Sequence, residues 1–166
     1  MPPAISLRPA APADLPFLRE LFADSRAADF GALPAQLREQ LIDLQFETQR
    51  REYASLRPDA LDEIVGLAGS AVGRIWTARE VDALHILDVT VSLRYRGRGI
   101  GTAVLDEVAA RADAAGLAVH LHVWAANHAA RRLYERCGFV TDSDVAADNG
   151  AYAAMRRPAL VALSAG

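Results

Sequence analysis

The sequence predicts an α+β fold, and three observations lead there. Two long helical patterns fall between a first short strand and a run of strands. A glycine-rich turn then joins an apolar, strand-like stretch to a third helix, and the chain closes with a strand, a short helix and two further strands.

The elements follow in order. Residues 5–8 alternate as a short strand. The segment 9–14 breaks it and offers Asp14 as an N-cap for a helix to about residue 28, with Leu15, Leu18, Leu21 and Phe22 as its buried stripe. A longer helix is expected over residues 34–55, with Pro34 at the start where a missing N–H does no harm. At about 100° per residue its apolar positions form two nearly opposite faces. Leu37, Leu41 and Leu44 read as the face packed on a sheet. Phe46, Gln49 and Tyr53, with Ile42, read either as the lining of a substrate pocket or as side chains packed under a loop.

From Asp62 the pattern changes to strands. Residues 63–69 and 71–78 suggest a hairpin with its turn at Gly69-Ser70, and residues 84–93 form a mostly apolar run expected to be buried on both faces. After the glycine turn, Ile100, Val104 and Val108 recur at helical spacing, and Gly116 closes that helix. In the next strand, 118–125, His120, His122 and Trp124 point to one side and Leu121 and Val123 to the other. Asn127 caps a short helix that ends at Gly138. A strand from Phe139, a polar loop (142–149) and a last strand (151–157) complete the chain. No repeat, low-complexity tract or linker divides it, so residues 1–166 read as one domain, long enough to bury about 70% of its unfolded surface.

Composition excludes several classes. The net charge of −3 gives no support for nucleic-acid binding, and no apolar run approaches the length of a membrane span. The single cysteine, Cys137, has no partner for a disulfide and follows a packing pattern, and the first residues lack the features of a secretion signal, so a cytoplasmic location is expected.

The richest stretch in chemistry is Arg94-Tyr95-Arg96-Gly97-Arg98-Gly99-Ile100-Gly101-Thr102. Glycines at alternate positions let backbone approach a ligand, and the helix that follows presents N–H groups with no intrahelical acceptor. Such a turn cradles an anion, and three arginines reinforce it; the plain alternative is a glycine-rich turn with solvated arginines. A P-loop is excluded, because the chain has no lysine. The dinucleotide fingerprint is nearly met by Gly97, Gly99 and Thr102, but the acidic residue it needs about 20 positions on is missing from 117–125.

The spacing that is met is R/Q-x-x-G-x-G/A, as Arg96-Gly97-Arg98-Gly99-Ile100-Gly101. A second signature, N-x-x-A-x-x-x-Y-E-x-x-G-F, runs from Asn127 to Phe139. With these two motifs, and with the element order above, the chain resembles the GCN5-related N-acetyltransferase (GNAT) superfamily over nearly its whole length. The resemblance implies a central mixed, mostly antiparallel sheet, splayed between its fourth and fifth strands and flanked by four helices. It implies acetyl-CoA as co-substrate, with no metal. The pyrophosphate would be wrapped by Arg96, Gly97, Arg98, Gly99, Ile100, Gly101 and Thr102, and pantetheine would bond the main chain of Val89, Thr90 and Val91. Asn127 would contact pantetheine, Arg131 falls in the same cofactor-facing segment, and Tyr134 would sit near the thioester sulfur.

The activity so implied is transfer of an acyl group to a primary amine of a small molecule or peptide, by direct attack on the thioester. Tyr134 is the expected proton donor to the departing thiolate, and Asp88 or His122 the expected proton acceptor. A lone buried histidine is more often a hydrogen-bonded core residue, which is the reading for His85 and His120; no carboxylate or cysteine clusters with the histidines in sequence to suggest a metal. The alternative function is a CoA-binding regulatory domain that keeps the fold without the chemistry. Family members often pair through their sheets or C-terminal strands, so the resemblance admits a homodimer that the residues themselves do not indicate.

Overall fold

The computed structural model describes residues 1–144 and 150–160. Seven strands form one sheet: β1 (Ile5–Pro9), β2 (Leu61–Leu67), β3 (Ser70–Arg79), β4 (Ala83–Val91), β5 (Ala118–Trp124), β6 (Val140–Thr141) and β7 (Tyr152–Arg157), in the order β1-β2-β3-β4-β5-β7-β6. Every neighbouring pair is antiparallel except β4 with β5. Among the described residues there are four α-helices: α1 (Leu15–Phe30), α2 (Ala35–Leu56), α3 (Ile100–Ala114) and α4 (His128–Arg136). The expected fold class is the one found.

Strand alternation divides the core in two. On one face Val65, Ile75, Val119, Leu121 and Met155 pack with Val104, Leu105 and Val108 of α3. On the other, Ile64 packs with Leu18 and Phe22 of α1 and with Ile42 and Phe46 of α2. This second cluster reverses the expected orientation of α2. Ile42 and Phe46 are buried, and the Phe22 and Phe46 rings lie 5.7 Å apart, whereas Leu37 and Leu44 are exposed. Periodicity defines two opposite stripes but not which of them meets α1, and the aromatic contact decides it.

Three smaller differences have local causes. Asp14 does not cap α1 with its side chain; a 3₁₀ turn (Pro12–Asp14) intervenes. Its carboxylate instead accepts two hydrogen bonds from Arg8, 2.7 and 2.8 Å, and one from the Ala11 N–H. The β2–β3 turn lies one residue earlier than expected: Ala68 and Gly69 are its central residues, both with positive φ (48° and 83°). Nor is β4 buried on both faces. Only Ala83 and Ile86 are, because its C-terminal half borders open space.

That opening arises where β4 leaves β5. The parallel pairing runs from Ala83↔Ala118 to Ile86↔Leu121 and stops, although β4 continues to Val91 and β5 to Trp124. At the same place the β3–β4 register slips, with Trp76 opposite Asp88 but Thr77 opposite Ile86, so Leu87 is bulged. The bulge bends β4 away from β5.

The Ala68 conformation gives a direct test. A type I′ turn favours asparagine at this position, since a left-handed backbone costs an alanine about 1 kcal/mol. Ala68→Asn is expected to raise unfolding stability by about 0.5–1 kcal/mol in urea titrations.

Candidate active site

The glycine turn is built as its sequence requires. Leu93–Tyr95 make one 3₁₀ turn, and Gly97 and Gly99 take φ of 73° and 76°. Gly99 precedes the first residue of α3. The first helical hydrogen bond runs from the Ala103 N–H to the Gly99 carbonyl at 3.0 Å, so the N–H groups of Ile100, Gly101 and Thr102 have no intrahelical acceptor. A side chain at Gly97 would meet nothing within 4 Å, which leaves the backbone open to a ligand. These features fit a pyrophosphate.

This turn forms one end of a groove of about 720 Å³. Arg96, Gly97, Gly99, Ile100, Gly101 and Thr102 line that end. Val89, Thr90 and Val91 form one wall, and Asn127 and Tyr134 the other. Two expected residues lie outside the lining. Arg98 sits over the Tyr95 ring at 5.4 Å, and Arg131 has its Nε buried with no hydrogen-bond partner among the described residues. Arg96 does more than border the groove, because its Nε donates to the Val91 carbonyl at 3.0 Å. The Asn127 side chain accepts from the Ala130 N–H at 3.1 Å, capping α4 and fixing the helix that carries Tyr134.

Tyr134 is 9% exposed and packs against Phe139. Burial, with a smaller contribution from the Asp88 charge, pushes its phenol up to about 12. The phenol therefore stays protonated at neutral pH, and its hydroxyl has no protein hydrogen-bond partner among the described residues.

Beside the groove lies a smaller cavity of about 300 Å³, and the two share Ser25, Thr90 and Asn127. Asp88 lines this cavity, accepting from the Thr90 hydroxyl at 3.2 and 3.3 Å. Burial raises its carboxyl above the ordinary range, opposed by Arg74. Of the expected acceptor residues, Gln49 lines the cavity, whereas Phe46 lies in the core and is not part of the lining. Tyr53 stacks edge-on against Trp76 at 4.4 Å, behind Arg74, whose guanidinium covers Trp76 at 3.9 Å. Burial raises the Tyr53 phenol as well. Of the polar loop expected over 142–149, residues 145–149 lie outside the described residues.

His122 is not brought to Asp88 and Tyr134. It lies in a separate hollow with Asp82, Thr141 and Arg156, its ring 5.6 Å from that of His85. Nor are His85 and His120 without a carboxylate: Glu80 joins them from the β3–β4 turn. The ligating atoms of Glu80, His85 and His120 all lie within 4.8 Å of one another, with His120 Nε2 2.8 Å from Glu80 Oε2. A cationic protein group is already there, since Arg57 donates to Glu80 at 3.0 Å and approaches His85 Nδ1 at 3.4 Å. Sequence separation hid this cluster. The residues that reading missed in the cavity are Arg26, Arg74 and Trp124. Arg74 had a visible signal, being a charged residue amid the buried stretch of β3.

The comparisons with known proteins give the family and the fold. The model of the acetyltransferase (GNAT) family matches residues 15–139, and the chain belongs to that family. Its fold is similar to that of the PaiA N-acetyltransferase of Thermoplasma acidophilum, solved in complex with coenzyme A (TM-score 0.71, 19% identity, covering 93% of this chain and 99% of that one). It is similar also to the ribosomal-protein-S18-alanine N-acetyltransferase of Escherichia coli (TM-score 0.65, 20% identity, 97% and 98% covered). A third similar structure is a spermidine N-acetyltransferase SpeG chimera from Vibrio cholerae and hSSAT (TM-score 0.62, 20% identity, 93% and 95% covered). No curated protein matches the sequence. Among the described residues no helix is long and apolar enough to cross a membrane.

The histidine cluster yields a pH test. Burial, then the neighbouring His120, pushes His85 down from 6.5 to about 4. Between those values the unfolded chain binds a proton at this residue that the folded chain does not, so stability falls as pH drops through the window. The thermal midpoint should decrease from pH 7 to pH 5, and His85→Asn should flatten that slope.

Proposed function

We propose that this acetyltransferase moves an acyl group, acetyl in the simplest case, from CoA to a primary amine by direct attack of the amine on the thioester. The observation that carries this is the continuity of the groove with the smaller cavity through Ser25, Thr90 and Asn127, with Tyr134 on one side and Asp88 on the other. Arg96 and the N–H groups from Gly97 to Thr102 hold the pyrophosphate. The free edge of Val89–Val91 bonds the amide-bearing arm as a neighbouring strand would. Arg98 and Arg131 stand near enough in sequence to serve the outer phosphate, although they do not line the groove.

Acetyl-CoA, when bound, supplies an activated acyl carbon. Asp88 takes the proton that the acceptor ammonium must lose, and its raised carboxyl brings it closer to that task. As the new C–N bond forms and the C–S bond breaks, Tyr134 gives its hydroxyl proton to the departing sulfur, and the second proton that the nitrogen sheds on becoming an amide restores the phenol; the proton taken by Asp88 is the one released to solvent. A phenol at about 12 is a weaker acid than a free thiol at about 8.5, and the burial that raises the phenol also raises a thiol formed beside it, which narrows the gap. His122 lines a different hollow and is given no role in this step.

Three variants test the reading. Tyr134→Phe and Asp88→Asn should each lower kcat/KM by about 10²–10⁴ while CoA still raises the melting temperature. Gly99→Glu puts bulk and negative charge at the start of α3, and should abolish the CoA-induced shift. Full activity in Tyr134→Phe would remove the proposed acid. Thiol release absent with every amine tried would identify a binder and not a transferase.

A further inference from the structure

The smaller cavity is charged in a way that bears on the acceptor. Among the described residues that line it, Asp88 is the one carboxylate, while Arg26 and Arg74 contribute two guanidinium groups. Arg74 commits Nε and Nη2 to Asp62, at 2.7 and 2.8 Å, and its Nη1 has no protein partner among the described residues. Arg26 is less engaged still. Its nearest carboxylate, Asp29, is 3.7 Å away, beyond hydrogen-bond reach, and its guanidinium lies over the Phe22 ring at 5.2 Å. The Arg26 Nε has no acceptor among the described residues, and the side chain as a whole is 42% exposed, so its terminal N–H groups stay open to a ligand oxygen. A guanidinium with open N–H groups holds a carboxylate by charge-assisted hydrogen bonds.

Resting on the transferase reading, we propose that the acceptor is a small amino acid: a primary amine facing Asp88, and a carboxylate held by Arg26 and the open edge of Arg74. Size agrees. A volume of about 300 Å³ takes roughly ten atoms of water size, which a compact amino acid fills. Charge agrees as well: the described lining carries two guanidinium groups and one carboxylate, so once Asp88 faces the reacting amine a second ammonium has no carboxylate of that lining left to meet. Trp124, at the cavity rim and edge-on to Tyr152 at 5.2 Å, gives the side chain of such an acceptor an apolar surface.

The test pairs several L-amino acids with their own amides, and adds spermidine as the cationic control. Each is measured in acetyl transfer and, with CoA-saturated protein, by calorimetry. The acid should exceed its amide by about ten- to a hundredfold in kcat/KM and in affinity, the range spanned by one charge-assisted hydrogen bond. In Arg26→Gln that ratio should fall toward one, through KM and not kcat. Equal use of acid and amide, a preference for spermidine, or a ratio that Arg26→Gln leaves intact would overturn the proposal. Calorimetry separates the two levels: acids that bind over amides without turnover would overturn the transferase reading alone, and acids that fail to bind would overturn this one.

Discussion

The parting of β4 from β5 is the constraint on which the rest depends. Two parallel strands that pair over four residues and then diverge leave backbone N–H and C=O groups without a neighbouring strand. One of them, the Val91 carbonyl, is taken by Arg96 from the glycine turn, which ties the end of β4 to the loop that follows it. The others face the groove. The Leu87 bulge is the local device that bends β4, and the register change places Asp88 and Thr90 on the side of the sheet that α1 covers. A gap in the sheet thus becomes a groove on one side of the opening and a cavity on the other.

Much of this was legible in the sequence, for physical reasons that differ from residue to residue. Element order and the two motifs gave the fold, since periodicity, glycines at positive φ and the Asn127 cap are local properties. The glycine turn could be read because its chemistry is contained within nine consecutive residues. What could not be read depends on distant contacts. The stripe of α2 that faces inward is chosen by Phe22 of α1, and the Glu80 partner of His120 comes from a turn 40 residues earlier. His122 and Asp88 belong to adjoining strands, yet the splay sends them to different hollows.

The electrostatics of the site were the least accessible. From the sequence, Asp88 is the charged group expected at the reacting amine, as a proton acceptor. Arg74, from the neighbouring strand, and Arg26, from the last turns of α1, change the charge balance there, and neither lies near Asp88 in sequence. Arg74 is itself held in place by Asp62 and by the Trp76 ring, so the charge at the cavity wall is fixed by the packing behind it. Tyr134 shows the same dependence: burial of its ring raises a phenol that would be protonated at neutral pH in any case.

The central claim, that the open edge of β4 and the start of α3 together receive CoA, is most directly tested by amide hydrogen exchange with and without CoA. The account predicts slower exchange in Val89–Val91 and in Gly97–Thr102, with little change along β1 and β2. Unchanged exchange in both of those segments under saturating CoA would contradict it.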